Sequence, residues 1–535
     1  KGTRDVVVRG CVFEHTNFAA DWRKGDAPEF ETAVRFPRPK PYPPGNDVFT
    51  AKLPPGFDLG FHGDILIENC RFVDPLGSLF RGDPVRNLIF RNNVIELTGA
   101  RPPREMTGSF RFGAAEEVFI TGNRYRLAPA LREKVAPQVF GTVPGLVLRD
   151  NRIEAATAGA KEPVDYVNTA IGSVSHMLVP TFRTVQRPNA MFRFNGPAGQ
   201  FTEDRVGTCH LFVPGHRDPG VFPFYPKSGD VRAGWSGTWD QEHATPYAYD
   251  VYFDGEGVKM SVAPGEKAGL FVFAFERPGA HALVFKTKDR ARGRVTAKGR
   301  ALDGLDVYGN YRGDIHADVF LRGEFDVEPT GVTVEKGRTV VSFAEAPCTV
   351  RLRLALSYVS AEQAARNLAA ELPDFDFARL SAEARAVWNR TLGQVEVEGG
   401  TEDEKSVFYT ALWRTYERMV NVTEEGRYRG YDHQVHETGG ADYYVDDWTW
   451  DTYRAAHPLM TILRPKAEGD KLQSYVRMGG ENKEGWMPVF PSVAGDRHSM
   501  VNRHPSVMML DAWRKGIRNF DAKSAFEIID RTEET

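Results

Sequence analysis

LIFRNNVI, residues 88–95, is one of five related blocks in the first 155 residues of the chain. The others are VVVRGCVF at 6–13, ILIENCRF at 65–72, VFITGNRY at 118–125 and LVLRDNRI at 146–153. Stacked by position, they form columns. The third position reads Val8, Ile67, Phe90, Ile120 and Leu148, and the eighth reads Phe13, Phe72, Ile95, Tyr125 and Ile153. The sixth reads Cys11, Cys70, Asn93, Asn123 and Asn151. Short apolar blocks at such a period, with an Asn column, read as coils of a right-handed parallel β-helix whose amides bond up and down the stack. The alternative is a run of strands in a sandwich. Cys11 and Cys70 share a column and read as small core residues, not as a disulfide. A proline-rich segment at 37–49 reads as an extended loop between the first two blocks.

Working outward, the pattern changes near 161. Long alternating strands follow: in 351–358, Leu352, Leu354, Leu356 and Tyr358 share one face. Segments 249–253, 258–262, 270–275 and 339–343 alternate similarly, with turns at Asp254-Gly255 and Pro278-Gly279. This reads as an antiparallel β-sandwich over 161–375. From about 376 the period becomes helical. Thr401 and Glu404 form a capping box ahead of a stripe of Val407, Phe408, Ala411, Leu412, Tyr416, Met419 and Val420. Further helices fit 381–393, 447–463, 469–479, 505–515 and 522–531, with Pro505 suited to a first turn and Gly516 to a C-terminal cap. The expected fold class is therefore multidomain, β plus α: β-helix coils over 1–160, sandwich over 161–375, helical domain over 376–535.

Composition narrows the function. In 535 residues, 68 basic against 72 acidic side chains give a net charge of −4, without the basic excess of a nucleic-acid-binding domain. No run of 18 apolar residues could cross a membrane as a helix. Aromatics at 12% argue against disorder. Four scattered cysteines form no CxxC pair for a zinc or redox site. The chain begins at Lys1, not Met, with no leader after it, so either a signal peptide and more have been removed or the chain is a fragment.

There is no phosphate loop, GxSxG elbow or HExxH motif. Aromatics and carboxylates cluster instead between helices, in YYVDDWTWDTYR (443–454), GWMP (485–488) and GDRHSMVNRH (495–504). Sugars offer C–H faces that stack on Trp and hydroxyls that need fixed polar partners. Each Trp alone reads equally as helix-packing core. Asp446, Asp447 or Asp451 alone reads equally as a helix N-cap, as does His504 before Pro505. Only the combination points to a carbohydrate pocket.

Several stretches then resemble glycoside hydrolase family 92, the calcium-dependent exo-α-mannosidases. They are DYVNTAIG (165–172), EHATP (242–246), VEGGT (397–401), FYTAL (408–412), WDTYR (450–454) with HPL (457–459), GWMP (485–488) and DAWRKG (511–516). The resemblance implies a β-sandwich packed on an (α/α)6 barrel, here only partial. It implies an inverting, calcium-assisted mechanism acting on mannose-containing glycans by a secreted or periplasmic enzyme. It carries substrate binding onto Trp450 and Asp451, and less closely onto Trp486, His504 and His176. The family's histidine-containing loop is replaced by SHMLVPTF (175–182), and Arg497 stands near where an acidic residue is usual. The family's catalytic acid, base and Ca2+ ligands would lie beyond Thr535, so no catalytic carboxylate is assigned and the chain is expected to be inactive without them. Two alternatives remain. One is chemistry on the β-helix, as in polysaccharide lyases, although Arg9, Glu68, Arg91, Thr121 and Arg149 show no carboxylate pair. The other is a non-catalytic carbohydrate-binding protein.

Overall fold

The computed structural model describes residues 4–14, 32–36, 62–75, 78–82, 85–97, 108–112, 115–127, 139–155, 161–172, 183–195, 208–214, 220–231, 234–235, 237, 239–253, 255–309, 316–335, 337–493, 495–496 and 504–534. The proline-rich 37–49 segment, the 175–182 loop with His176, and Arg497 lie outside them. The chain divides into two compact units, Lys1–Lys161 and Glu162–Thr535.

In the first unit the repeats pair in register. One parallel sheet orders Arg4–Arg9, His62–Glu68, Val85–Arg91, Ala115–Thr121 and Val147–Arg149. Within it Val8, Ile67, Phe90, Ile120 and Leu148 stand opposite one another. A second parallel sheet aligns Phe13, Phe72, Ile95, Tyr125 and Ile153. A third runs through Thr32–Phe36, Ser78–Gly82, Phe110–Phe112 and Val139–Phe140. Side chains from all three, such as Ile67, Phe72 and Phe80, share one core.

Between the first two sheets the chain turns a corner at the fifth and sixth block positions. Gly10, Asn69, Asn92, Gly122 and Asp150 fill the fifth, all left-handed with φ between 54° and 65°. Gly, Asn and Asp tolerate that region best. The sixth position turns inward. The Oδ1 of Asn123 accepts the backbone N–H of Asn93 at 2.9 Å and its amide at 3.1 Å, while Asn151 Oδ1 does the same for Asn123 at 3.1 and 2.9 Å. Asn93 in turn accepts the N–H of Cys70 at 2.8 Å. Cys11 and Cys70 are not joined as a disulfide, and the Cys70 thiol donates to the Glu68 carbonyl at 3.3 Å.

In the second unit two antiparallel sheets share one core. The larger orders Asp240–Thr245, Ala248–Phe253, Val258–Pro264, Ala268–Phe275, Cys348–Ser357, His316–Phe325, Ala301–Gly309 and Arg294–Lys298. The smaller orders Cys209–Phe212, Gly220–Ser228, His281–Lys286, Arg338–Phe343 and Gly331–Glu335. Phe224 of the smaller meets Phe271 of the larger edge-on, 5.5 Å between ring centroids. Leu352, Leu354, Leu356 and Tyr358 face this core as the alternation predicts. Ala355 points the other way, with Leu270, onto Leu368 and Leu380 of two covering helices. Pro278-Gly279 joins strands of different sheets, so it changes layer and makes no hairpin.

The described residues hold eight helices: α1 (Ala361–Glu371), α2 (Phe377–Leu392), α3 (Glu402–Arg414), α4 (Thr449–Thr452), α5 (Ala456–Leu463), α6 (Pro465–Glu481), α7 (His504–Arg514) and α8 (Ala522–Glu534). Helix begins at α1, well before the expected 376, because Ser360 caps it through the N–H of Gln363. The capping box of α3 is present: Thr401 accepts from the N–H of Glu404, and Glu404 accepts from that of Thr401. The expected stripe behind it is displaced. Val407 and Phe408 are exposed, while Tyr409, Leu412, Trp413 and Tyr416 are buried. The helix ends at Arg414, so Met419 and Val420 belong to other packing. The single helix expected at 447–463 is two. Pro458 lacks an N–H and its ring would clash with the carbonyl four residues back in a continuous helix, but it fits the first turn of α5.

Candidate active site

Residues 446–454 enter α4 from a strand, Tyr444–Val445, that pairs with Val420–Asn421. Asp446 turns the chain at φ 69° and is wholly buried. Its Oδ2 accepts from Arg193 Nη1 at 3.0 Å and from Arg418. The Arg418 guanidinium also lies over the Trp448 ring, 4.6 Å from its centroid, and Trp448 stacks on Phe490. Asp446 thus joins residues 193 and 418 to the approach to α4.

Asp447, also buried, points the other way. Its Oδ1 accepts the backbone N–H of Trp448 and the hydroxyl of Thr452, both at 2.8 Å. Its Oδ2 accepts the Tyr475 hydroxyl at 2.7 Å and lies 2.7 Å from His457 Nε2. The other ring nitrogen of His457 lies 2.7 Å from Glu468 Oε1, and Lys471 Nζ stands 4.0 Å from Glu468. A carboxylate at each imidazole nitrogen calls for an N–H at each. Burial opposes that charge, but Glu468 and Asp447 outweigh it and raise the His457 pKa to about 10. Burial alone would raise Asp447; the His457 charge and the three donors instead lower it to about 2. Burial pushes the Lys471 ammonium down despite Glu468.

None of the three aspartates caps α4. Its N-cap is Trp448, with no side-chain cap bond. Asp446 and Asp447 are held in buried ion pairs, while Trp450 is 42% exposed and Asp451 is exposed beside it. Partial burial, then the charge of Asp447, raises the Asp451 pKa. The pair therefore offers an aromatic face and a carboxylate from one helical turn.

The other sequence candidates are held by different elements. His504 opens α7, its ring 4.3 Å from that of Tyr453 just after α4. Its Nδ1 is buried without a hydrogen-bond partner among the described residues. Trp486 is half-buried, its N–H and carbonyl both bonded to the Asn482 side chain at 3.1 and 2.7 Å. Met487 donates to Thr532 of α8 at 2.9 Å. His176 falls outside the described residues. The sequence reading missed Arg193, Arg418, Glu468, Lys471 and Tyr475. One signal was available: Glu468, Lys471 and Tyr475 fall at helical spacing on the same buried face as Leu472 and Val476. Charge on an apolar stripe needs partners.

Among the described residues no three His, Cys, Asp or Glu side chains are placed to hold a metal ion. Asp446, Asp447 and Glu468 are already committed to Arg, His, Tyr and Thr donors. They do not make the open oxygen cage that calcium takes. On the first unit, Glu68 is closed between Arg9 at 2.6 Å and Arg91 at 2.7 Å.

Two family models match the chain, the glycosyl hydrolase family 92 N-terminal domain over residues 166–368 and its catalytic domain over 363–535. Together they span well over half of it. The chain belongs to glycosyl hydrolase family 92. Among solved structures, a family 92 inverting mannosidase of Bacteroides thetaiotaomicron superposes with a TM-score of 0.62 at 26% identity, over 70% of this chain and 55% of that one. A family 92 α-mannosidase from the same species gives 0.63 at 19%, over 70% and 57%. An uncharacterized secreted glycosidase of Arthroderma benhamiae is 24% identical over 267 residues, 45% of this chain and 30% of its own. The chain thus spans little more than half the length of these family 92 structures, and less of the curated relative. No helix among the described residues is long and apolar enough to cross a membrane.

Proposed function

We propose that this chain belongs to a secreted, exo-acting α-mannosidase that removes terminal mannose from mannose-containing glycans with inversion. The observation that carries the reading is the exposed Trp450–Asp451 pair, standing where the family resemblance puts terminal-sugar contacts. An indole face accepts the C–H side of a pyranose, and a neighbouring carboxylate can take two hydroxyls. A relative's structure in complex with mannoimidazole supports this substrate class. We read the parallel sheets of the first unit as β-helix coils, the antiparallel pair as a sandwich, and the helices as part of an (α/α)6 barrel. Trp486 and His504 would flank the sugar, and His176 would reach it from the sandwich.

Inversion needs one carboxylic acid at the leaving oxygen and a second carboxylate at water, about 6.5–9.5 Å apart. Asp446, Asp447 and Glu468 are spent in buried ion pairs, so none of these three takes either role. Calcium remains an implication of the family, and no step is derived through it. What these residues do is hold and orient the sugar.

Calorimetric titration with mannoimidazole tests the reading. Trp450→Ala should abolish measurable heat. Asp451→Asn should weaken binding about tenfold or more, a hydrogen bond to a charged group being worth ~1.5–3 kcal/mol. Unchanged binding in both variants would overturn it.

A further inference from the structure

His457 lies within the matched stretch WDTYR–HPL yet is buried, and its role has no place in the reading above. The turn that presents Trp450 and Asp451 is four residues long and uncapped. A single turn of helix does not hold itself together, because nucleation costs more than its one or two hydrogen bonds return. Its stiffness must come from outside. Thr449 gives its hydroxyl to the Val489 carbonyl, and the Asp447 N–H donates to the Pro491 carbonyl at 3.1 Å. A further brace is the Asp447 carboxylate. One oxygen grips both ends of the turn, the N–H of Trp448 and the hydroxyl of Thr452. The other is gripped by Tyr475 of α6 and His457 of α5, and His457 is gripped in turn by Glu468 of α6.

We propose that His457 is a positioning residue for the sugar site: by clamping Asp447 against Glu468, it fixes the α4 turn and with it the directions of Trp450 and Asp451. The inference rests on the assignment of those two residues to sugar binding. Its chemistry is specific to a doubly protonated imidazole. A neutral ring would set a lone pair against a carboxylate at 2.7 Å on one side and release Asp447 or Glu468. The groups facing it are Asp447 on the α4 approach and Glu468, Lys471 and Tyr475 on α6. With Lys471 charged, two anions face two cations and the cluster is neutral.

The test compares His457→Gln, Thr452→Val and the double variant in the full chain, by titration with mannoimidazole and by thermal unfolding without it. Gln can donate to Asp447 but then turns a carbonyl toward Glu468, so the clamp is half lost. Thr452→Val keeps the shape and removes the hydroxyl that Asp447 holds. Each single variant should weaken binding by about tenfold, and the double by little more than the worse single, because both break one linkage. Both variants should lower the unfolding midpoint, since each removes a hydrogen bond to a buried carboxylate, but a binding loss measured well below those midpoints is one that a merely stabilising role would not produce. If His457→Gln fails to fold, Thr452→Val alone decides: unchanged binding overturns the proposal. Losses that multiply in the double variant also overturn it, since the two residues would then act separately. Trp450→Ala separates the two levels. Wild-type binding in that variant refutes the site, whereas lost binding there with intact binding in His457→Gln refutes only the clamp.

Discussion

Asp447 and His457 make the strongest residue-level demand on solution conditions. The histidine pKa is raised from its ordinary 6.5 to about 10, and the aspartate is lowered from 3.8 to about 2. A raised histidine contributes stability that is complete below 6.5 and lost as pH climbs through about 10. A lowered aspartate contributes stability that is complete above 3.8 and lost as pH falls through about 2. Their joint contribution is therefore greatest between about pH 4 and 6.5 and declines on the alkaline side. Lys471, pushed down by burial, works in the opposite sense. Unfolding midpoints measured at pH 6, 7.5 and 9 should fall in that order, and His457→Gln should flatten the fall. An equally steep fall in the variant would mean that other groups govern it. The corner column of the first unit was equally open to reading at this level. Gly, Asn, Asn, Gly and Asp recur at one block position, and only residues that tolerate left-handed φ would do so.

Among the elements, the Asn ladder carries its own consequence. Asn123 is wholly buried and makes hydrogen bonds to Asn93, Phe90 and Asn151. Replacing it with Ala removes the acceptor of the Asn93 backbone N–H and the side-chain donor to the Phe90 carbonyl, both in the core. The cost should be about 2–4 kcal/mol in urea unfolding of the first unit, since each buried orphan costs ~1–3 kcal/mol. Asn151→Ala, at the half-buried end of the ladder, should cost less than half as much. Equal costs would show that stacking, and not the amide bonds, holds the coils. Helix limits depended on prolines: Pro458 sits in the first turn of α5 and Pro465 opens α6, so the helix expected at 447–463 is cut into α4 and α5, and the one expected at 469–479 begins earlier. Periodicity alone carries no mark of such a cut.

Across the second unit, sheet and helical segments are not independent. One core runs from Phe271 and Leu354 of the sheets to Tyr428, Tyr443 and Met478. A buried charge bridge accompanies it, with Asp446 shared by Arg193 and Arg418. Asp446→Ala should cost about 3–5 kcal/mol in chemical unfolding, because it removes the anion shared by two arginines, one of them wholly buried. Replacing Arg193 and Asp446 together by Met and Leu should recover much of it. A single variant with near wild-type stability would show that the bridge is solvated.

Local rules made the architecture largely legible. The five blocks, the alternation of 351–358, and the capping box at Thr401 each depend on spacing within a few residues, and the chain states such spacing directly. Trp450 and Asp451 were singled out in the same way, through a short motif. The roles of their neighbours were not. Asp446, Asp447 and Asp451 look alike along the chain, yet two are locked in ion pairs and one faces solvent. The difference lies in partners as distant as Arg193, 253 residues from Asp446. Likewise the strand Ala268–Phe275 pairs with Cys348–Ser357, far along the chain. Burial and charge pairing are properties of the whole packed core, so which polar residue is walled in and which is left facing solvent is settled only when distant segments close over it.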